Sequence, residues 1–369
     1  MRVLILTQNL DTGGVQKSVA MLANALCKFY DCTLLLFEDN KPMQYSLRED
    51  IEVRAIATLE VDICQPDIGR EIFSYRRSEL SKVVDSLEPS LIFSFEDYHN
   101  ILSLEIDSSA KRIVSCRISL QNFYTASSKI HLLDSDFYFQ HIRKLYKKAD
   151  AVVCVSQFIK NEVLDLCGDI NAINLYNGVD QQRLIQGQDK IIEVGFDYIL
   201  HVGRLHPQKG QEDLIRAYAM IHKQIPQKLV IIGDGTSKDE LMCLVETFAL
   251  AEKVIFLGNI NEPYHYMKKA KFCIIPSHQE GFSNTVLEMM FLSTLLASKY
   301  NGYNEILHDY GNLFDIGDVE KLAALILKYS LDTEALSGLK HSQFIDVQPF
   351  TIEKSMQNYI ELIGTIING

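Results

Sequence analysis

Glu280-Gly281-Phe282-Ser283-Asn284-Thr285-Val286-Leu287-Glu288 is the stretch on which the reading of this chain turns. The apolar run Phe272-Cys273-Ile274-Ile275-Pro276 precedes it and predicts a strand buried on both faces. A short polar loop follows, and then a helix starting near Ser283 or Asn284, residue types whose side-chain oxygens accept from the unpaired amides of a first turn. Those amides and the helix dipole favour an anion, and Gly281 lets a ligand approach the backbone. Glu280 and Glu288 hold phosphate poorly but accept hydrogen bonds from sugar hydroxyls well. The stretch therefore reads as a cradle for a phosphorylated polyol.

Working outward, the same strand-turn-helix alternation fills both halves of the chain. In the first half, strands are predicted at 3–7, 33–37, 91–95, 112–115 and 151–155, with helical stretches near 76–87 and 98–105. Gly13-Gly14 follows the first strand but lacks the spacing of a dinucleotide fingerprint. Residues 38–67 read as acidic, irregular surface. In the second half, strands at 198–202, 228–232, 254–257 and 272–276 are each followed by a glycine-bearing or polar loop, with short strands at 295–298 and 312–314. Between the halves, the polar stretch 181–190 has no apolar period and suits a linker. The fold class is α/β: two Rossmann-like domains, residues 1–183 and 184–369, with the last helix able to pack back on the first. Ligands in such sheets bind beyond the carboxyl ends of the strands, so these loops are expected to face a central cleft.

Composition narrows the function. At 369 residues and 47% hydrophobic, the chain can build two cores, and a formal charge of −12 argues against a nucleic-acid binder. The eight cysteines, 27, 32, 64, 116, 154, 167, 243 and 273, have no metal-ligand spacing and read as reduced thiols of a cytoplasmic protein. No signal peptide is expected after Met1-Arg2, nor any run of the ~20 apolar residues that cross a bilayer. Residues 111–148 carry eight Lys or Arg against two Asp, and 137–149 is amphipathic. This reads either as a solvated helix face or as peripheral contact with an anionic membrane at the cytoplasmic side.

Arg204 and Lys209 lie in one glycine-bounded loop after a buried strand. A guanidinium fork and a compact ammonium together suit a departing nucleoside diphosphate. Of the nearby histidines, His201 in a strand interior reads as a core residue, whereas His206 and His278 in loops can reach substrate. Asp97 and His99 follow a strand of the first half and are acceptor-side candidates.

These residues carry a resemblance. Glu280 and Glu288 fit the E-x7-E motif of glycosyltransferase family 4, retaining transferases of the GT-B fold. Gly203-Arg204-Leu205 with Lys209-Gly210, Gly233-Asp234-Gly235, Asn177-Gly178-Val179-Asp180 and Gly13-Gly14 resemble further family segments, in the same order across nearly the whole chain. The resemblance implies transfer of a hexosyl or N-acetylhexosaminyl group from a nucleotide sugar, UDP-linked, to a hydroxyl of a glycan or lipid-linked acceptor, with no metal cofactor. Arg204 and Lys209 would hold the diphosphate and, with Glu280, form the catalytic set. Glu288 would hold the ribose, and Gly235 and Asn259 would flank the base. Glu280, with the backbone of Gly281, Phe282, Ser283 and Asn284 and of Gly13 and Gly14, would meet the sugar and phosphates. Where members carry a histidine after the fourth strand, this chain has Ser115-Cys116-Arg117. Arg117 reads as a ligand for phosphate or an acidic acceptor, or as half of a structural ion pair. Two rivals share the fold: an epimerase-like nucleotide-sugar enzyme and a non-catalytic nucleotide-sugar-binding protein.

Overall fold

The structure, a computed structural model, describes residues 1–11, 13–38, 40–59, 67–120, 131–188 and 194–369. Cys64, part of the basic segment and part of the expected linker lie outside the described residues. The chain forms two compact units, Met1–Asn177 with Ser355–Gly369, and Gly178–Lys354. The division thus falls ahead of the expected 183/184, and the last helix, Ile352–Asn368, joins the first unit from Ser355 onward.

The first unit is built on seven parallel strands: β1 (Arg2–Thr7), β2 (Asp31–Leu36), β3 (Glu52–Ala55), β4 (Leu91–Phe95), β5 (Lys111–Cys116), β6 (Ala151–Cys154) and β7 (Ala172–Asn174). Their order is β3-β2-β1-β4-β5-β6-β7. Val3, Leu4, Ile5 and Leu6 are all fully buried, as expected where helices cover both faces of a parallel sheet. On one face Val3, Ile5, Leu34, Phe93 and Val153 pack with Val19, Leu22 and Leu26 of the helix Gly14–Leu26 and with Tyr359 and Ile363 of the last helix. Each such side chain contributes about 1.5–3 kcal/mol. β3 corrects the reading of 38–67 as irregular: it is an edge strand whose residues are largely exposed, so it carries no apolar signal. β7 was likewise not expected.

The second unit has six parallel strands: β8 (Tyr198–Val202), β9 (Lys228–Ile232), β10 (Val254–Phe256), β11 (Cys273–Ile275), β12 (Leu295–Ser298) and β13 (Leu313–Phe314), in the order β10-β9-β8-β11-β12-β13. Its core joins Ile199, Leu229, Ile231, Phe272 and Leu296 to Leu214, Tyr218, Leu322 and Ile326 of the covering helices. The stretch expected as a linker holds the helix Gln181–Gly187, capped by Asp180, whose side chain accepts from Arg183 N at 2.9 Å.

In both sheets the strand order reverses once, between β1 and β4 and between β8 and β11. At such a point neighbouring strands send their following helices to opposite faces, leaving a crevice at the carboxyl edge. Those two edges hold the predicted polar residues.

Candidate functional site

In the second unit the loop after β8 is drawn against the loop after β11. Gly210, at φ 66°, opens the helix Gln211–Ile221, and a Cβ there would lie 2.1 Å from the Pro276 carbonyl oxygen. Glycine alone permits that approach. Gln208 Nε2 then donates to the Gln279 carbonyl at 3.0 Å, and His278 N donates to the Gln208 carbonyl at 2.8 Å. The result brings Lys209 Nζ to 2.7 and 2.8 Å from the two oxygens of Glu280. Ser277 Oγ donates to Glu280 Oε1 at 2.7 Å. Glu280 is 7% exposed and Lys209 20%, so this pair sits in a partly dry setting where its electrostatics are stronger than at a surface.

Arg204, five residues before Lys209 in the sequence, is exposed and has no ion-pair partner among the described residues. Its backbone is fixed from beneath. Fully buried His201 donates from Nδ1 to the Ile274 carbonyl at 2.9 Å, joining β8 to β11. Its Nε2 faces Gln211 Nε2 at 3.2 Å, and that amide also donates to the Arg204 carbonyl at 2.8 Å. Burial pushes His201 down to about 4, which keeps Nε2 unprotonated and able to accept. The core histidine is thus also the brace under the basic loop. His206 accepts from Gln208 N at 3.3 Å, and His278 lies 2.6 Å from Asp213.

The loops after β9 and β10 lie alongside. Gly233 N donates to the Gly258 carbonyl at 2.8 Å, Leu205 N to the Asp234 carbonyl at 2.9 Å and Ser237 N to the Leu205 carbonyl at 3.1 Å. Gly235 is tied to Asp234 Oδ1 at 2.8 Å, and Asn259, exposed, follows Gly258. On the other side, Ser283 caps the helix Asn284–Leu292, accepting from Val286 N at 3.4 Å. Glu288 is buried on that helix. The Phe282 ring packs 5.5 Å from that of Phe350, so what Phe282 offers a ligand is backbone. Gly281 and Asn284 are partly buried. Arg204, Lys209, Gly235, Asn259, Glu280 and the start of the 284–292 helix therefore share one carboxyl edge.

The first unit arranges its edge differently. Gly13 is held by Tyr45, whose hydroxyl accepts from Gly13 N at 3.1 Å and donates to Gly13 O at 3.0 Å, and Gly14 opens the helix. Asp97 is buried at the start of the helix Asp97–Glu105, where it accepts from the Tyr146 hydroxyl and lies 3.7 Å from Cys116 Sγ. His99 is fully buried, its ring nitrogens 2.9 Å from the Phe95 carbonyl and from Gln8 Oε1. Burial holds it well below its ordinary value. Arg117 is 8% exposed, and it is not half of an ion pair with any described carboxylate. It donates to Asn177 Oδ1 (2.7 Å), Ser18 Oγ (2.8 Å) and Tyr359 Oη (3.4 Å), so its charge is left unneutralised beside the sheet edge. Gln8, Glu38 and Glu96 complete this edge, and sequence reasoning missed all three. Gln8 and Asn9 donate to the two oxygens of Glu38 at 2.7 and 2.6 Å.

The basic segment is smaller than its sequence suggests. Arg112 and Arg117 are buried and Lys111 lies 3.3 Å from Asp150. Arg143, Lys144, Lys147 and Lys148 remain exposed, on and just after the helix Ser135–Leu145, whose Tyr138, Ile142 and Leu145 face inward. Among the described residues no helix is long and apolar enough to cross a membrane, and no three His, Cys, Asp or Glu are gathered as a metal site.

Comparison with known proteins identifies the family and the fold. The family described as Glycosyltransferase Family 4 matches residues 12–183, and that described as Glycosyl transferases group 1 matches residues 185–342. The chain is 35% identical over 204 residues to the N-acetylgalactosamine-N,N'-diacetylbacillosaminyl-diphospho-undecaprenol 4-alpha-N-acetylgalactosaminyltransferase of Campylobacter jejuni, covering 53% of this chain and about half, 54%, of that one. It is 21% identical over the full length of both chains to the GalNAc-alpha-(1->4)-GalNAc-alpha-(1->3)-diNAcBac-PP-undecaprenol alpha-1,4-N-acetyl-D-galactosaminyltransferase of the same organism. Among solved structures, Anabaena HepE in complex with UDP superposes with a TM-score of 0.78 at 19% identity, covering 99% of this chain and 100% of that one. The chain belongs to glycosyltransferase family 4 and has the GT-B fold.

Proposed function

We propose that this protein transfers a hexosyl or N-acetylhexosaminyl group from a UDP-sugar to a hydroxyl of a glycan or lipid-linked acceptor in surface-glycan assembly, retaining the anomeric configuration. The observation that carries the reading is the Lys209–Glu280 pair, at 2.7 Å, beside an Arg204 with no described ion-pair partner. A diphosphate entering this edge offers oxygens to both cations. As Lys209 turns toward it, Glu280 is released to accept from hydroxyls of the donor sugar. The two cations then stabilise the charge that builds on the leaving diphosphate, the largest single term in many such reactions. On this reading Glu288 takes the ribose, Gly235 and Asn259 flank the base, and no divalent metal is required. The UDP and lipid-linked assignments are supported by the names of the relatives, one solved with UDP and two acting on diphospho-undecaprenol glycans. Residues 143–148 suit peripheral contact with an anionic cytoplasmic membrane surface.

The test is UDP release from a panel of UDP-sugars by the purified protein, with Lys209→Ala and Glu280→Ala as controls. Turnover in the wild type and its loss in both variants is expected. Binding of UDP with no turnover on any donor or acceptor would favour the non-catalytic rival instead.

A further inference from the structure

We propose that Glu96 binds the acceptor, receiving the hydrogen bond of the hydroxyl that is to be glycosylated, at the β1/β4 edge of the first unit. This rests on the transferase reading and adds to it a residue outside every motif named above. Glu96 follows β4 directly, at the reversal of strand order where a parallel sheet opens its crevice. Its backbone stands at φ 70° and ψ 143°, a region that glycine populates freely and other residues reach only under strain. Such strain persists where the surrounding fold enforces it, and it clusters at functional sites.

Three structural uses for this carboxylate fail. It precedes the helix Asp97–Glu105 yet makes no capping bond to it. It forms no ion pair with Arg117, whose donors go to Ser18, Asn177 and Tyr359. His99 Nδ1 lies 3.8 Å from Glu96 Oε2, too far for a hydrogen bond, and that nitrogen already serves the Phe95 carbonyl. Oε2 consequently has no hydrogen-bond partner among the described residues, although it is shielded from solvent. The side chain as a whole is 33% exposed, so a ligand meets its exposed part first, Oε2 itself being covered. A carboxylate with spare acceptor capacity, at the mouth of a crevice and beside an unneutralised guanidinium, suits a polyol hydroxyl. A phosphate would be repelled by Glu96, Asp97 and Glu38, which makes a sugar ring the part of the acceptor that docks here. The groups that act on Glu96 are Asp97 beside it, Glu38 after β2, Arg117 after β5, His99 one turn on and the backbone amide of Gln8 after β1, which donates to the carboxylate and leaves Oε2 as its spare oxygen. Burial, then Asp97, pushes its carboxyl up to about 7, and Arg117 opposes them.

The test compares wild type, Glu96→Gln and Glu96→Gly. UDP affinity is measured by calorimetry. UDP release is followed with UDP-N-acetylgalactosamine, UDP-N-acetylglucosamine, UDP-glucose and UDP-galactose, using water or octyl N-acetylgalactosaminide as acceptor. Wild-type kcat/KM for the acceptor should rise with pH through about 7 as Glu96 loses its proton. Glu96→Gln should bind UDP as the wild type does, lose roughly tenfold or more in that parameter, and lose the pH dependence. Glu96→Gly should melt no lower than the wild type, because the strain is relieved. A Gln variant with wild-type rate and pH profile overturns the assignment. So does a fall in melting temperature in both variants, which would give the carboxylate to the fold. Failure of the wild type itself to bind UDP would instead strike the transferase reading and this inference with it.

Discussion

The two carboxyl edges, β8/β11 and β1/β4, are built on the same strand reversal but manage their charges in opposite ways. At β8/β11 a cation and a carboxylate face each other directly, Lys209 on Glu280, with a second cation left open. At β1/β4 the buried guanidinium of Arg117 donates to neutral oxygens, and neither Asp97 nor the nearby Glu96 forms an ion pair with it. The first arrangement is poised to exchange one anion for another. The second is a hydrogen-bonded polar wall with one carboxylate, on a strained backbone, whose Oε2 has no partner among the described residues. A paired edge suits a highly charged ligand and an unpaired one a neutral, hydroxyl-rich ligand. That difference is what the proposed function asks of a donor site on one unit and an acceptor site on the other.

The sharpest way to break this contrast is at Lys209. Lys209→Ala is expected to lower turnover by about a hundredfold or more. It also strands Glu280, which is 7% exposed, at a cost of about 3 kcal/mol in the stability of the second unit. Lys209→Met with Glu280→Gln should restore most of that stability and none of the turnover, read by thermal melts and UDP release. Recovery of both would mean the pair is only structural. Next in size is Gly210→Ala. Its Cβ would meet the Pro276 carbonyl at 2.1 Å from a φ of 66°, and a loss of about 3 kcal/mol is expected, with weaker UDP binding. Unchanged stability would show that the two loops are not locked together.

Arg204→Ala sharpens the comparison from the other side. The side chain is exposed, so stability should stay within about 0.5 kcal/mol, while UDP affinity falls by about tenfold. A variant that binds UDP normally would leave Lys209 as the sole cation at the site.

The two edges should also respond to pH with opposite signs. His201 titrates at about 4 when folded against an ordinary 6.5. Between those values the unfolded chain takes up a proton that the folded chain refuses. Stability therefore falls as pH drops through that window, by at most about 1.4 kcal/mol per pH unit. Glu96 is raised to about 7 from an ordinary 4.5. The folded chain holds the extra proton there, so its contribution falls as pH rises from 4.5 to 7. Melts across this range should show a flatter acid limb in His201→Gln and a shift of the other sign in Glu96→Gln. Equal shifts in both variants would contradict the assignments.

Much of the β8/β11 edge was legible in the sequence because it depends on local signals. Apolar runs marked β8, β9 and β11, glycines marked the loops, and Ser283 marked a helix start. What the sequence could not supply was distance. Lys209 and Glu280 are 71 residues apart, and only the order of β8 and β11 in the sheet brings them together. The exposed strand β3 and the helix Gln181–Gly187 bury too few side chains to leave a periodic trace. The β1/β4 edge was harder still. Asp97 and His99 stood out by residue type but are enclosed in hydrogen bonds to Tyr146, Phe95 and Gln8. Glu96 is set apart by its backbone angles and its unpartnered Oε2, which no residue pattern encodes. The basic 111–148 segment erred the other way: residue counting cannot tell that Arg112 and Arg117 point inward.

Two smaller effects complete the contrast. UDP release should persist undiminished in EDTA, since Arg204 and Lys209 supply the positive charge; strong inhibition reversed by a divalent cation would overturn that. Binding to anionic liposomes at low salt should weaken several-fold in Lys147→Glu with Lys148→Glu, and no wild-type binding would remove the membrane proposal.

The central claim is tested most directly by titrating UDP into the wild type, Lys209→Met and Arg204→Ala in a calorimeter. The account predicts saturable binding by the wild type at one site per chain, weakened at least tenfold in each variant. Equal affinity in all three proteins, or no binding by any of them, would contradict it.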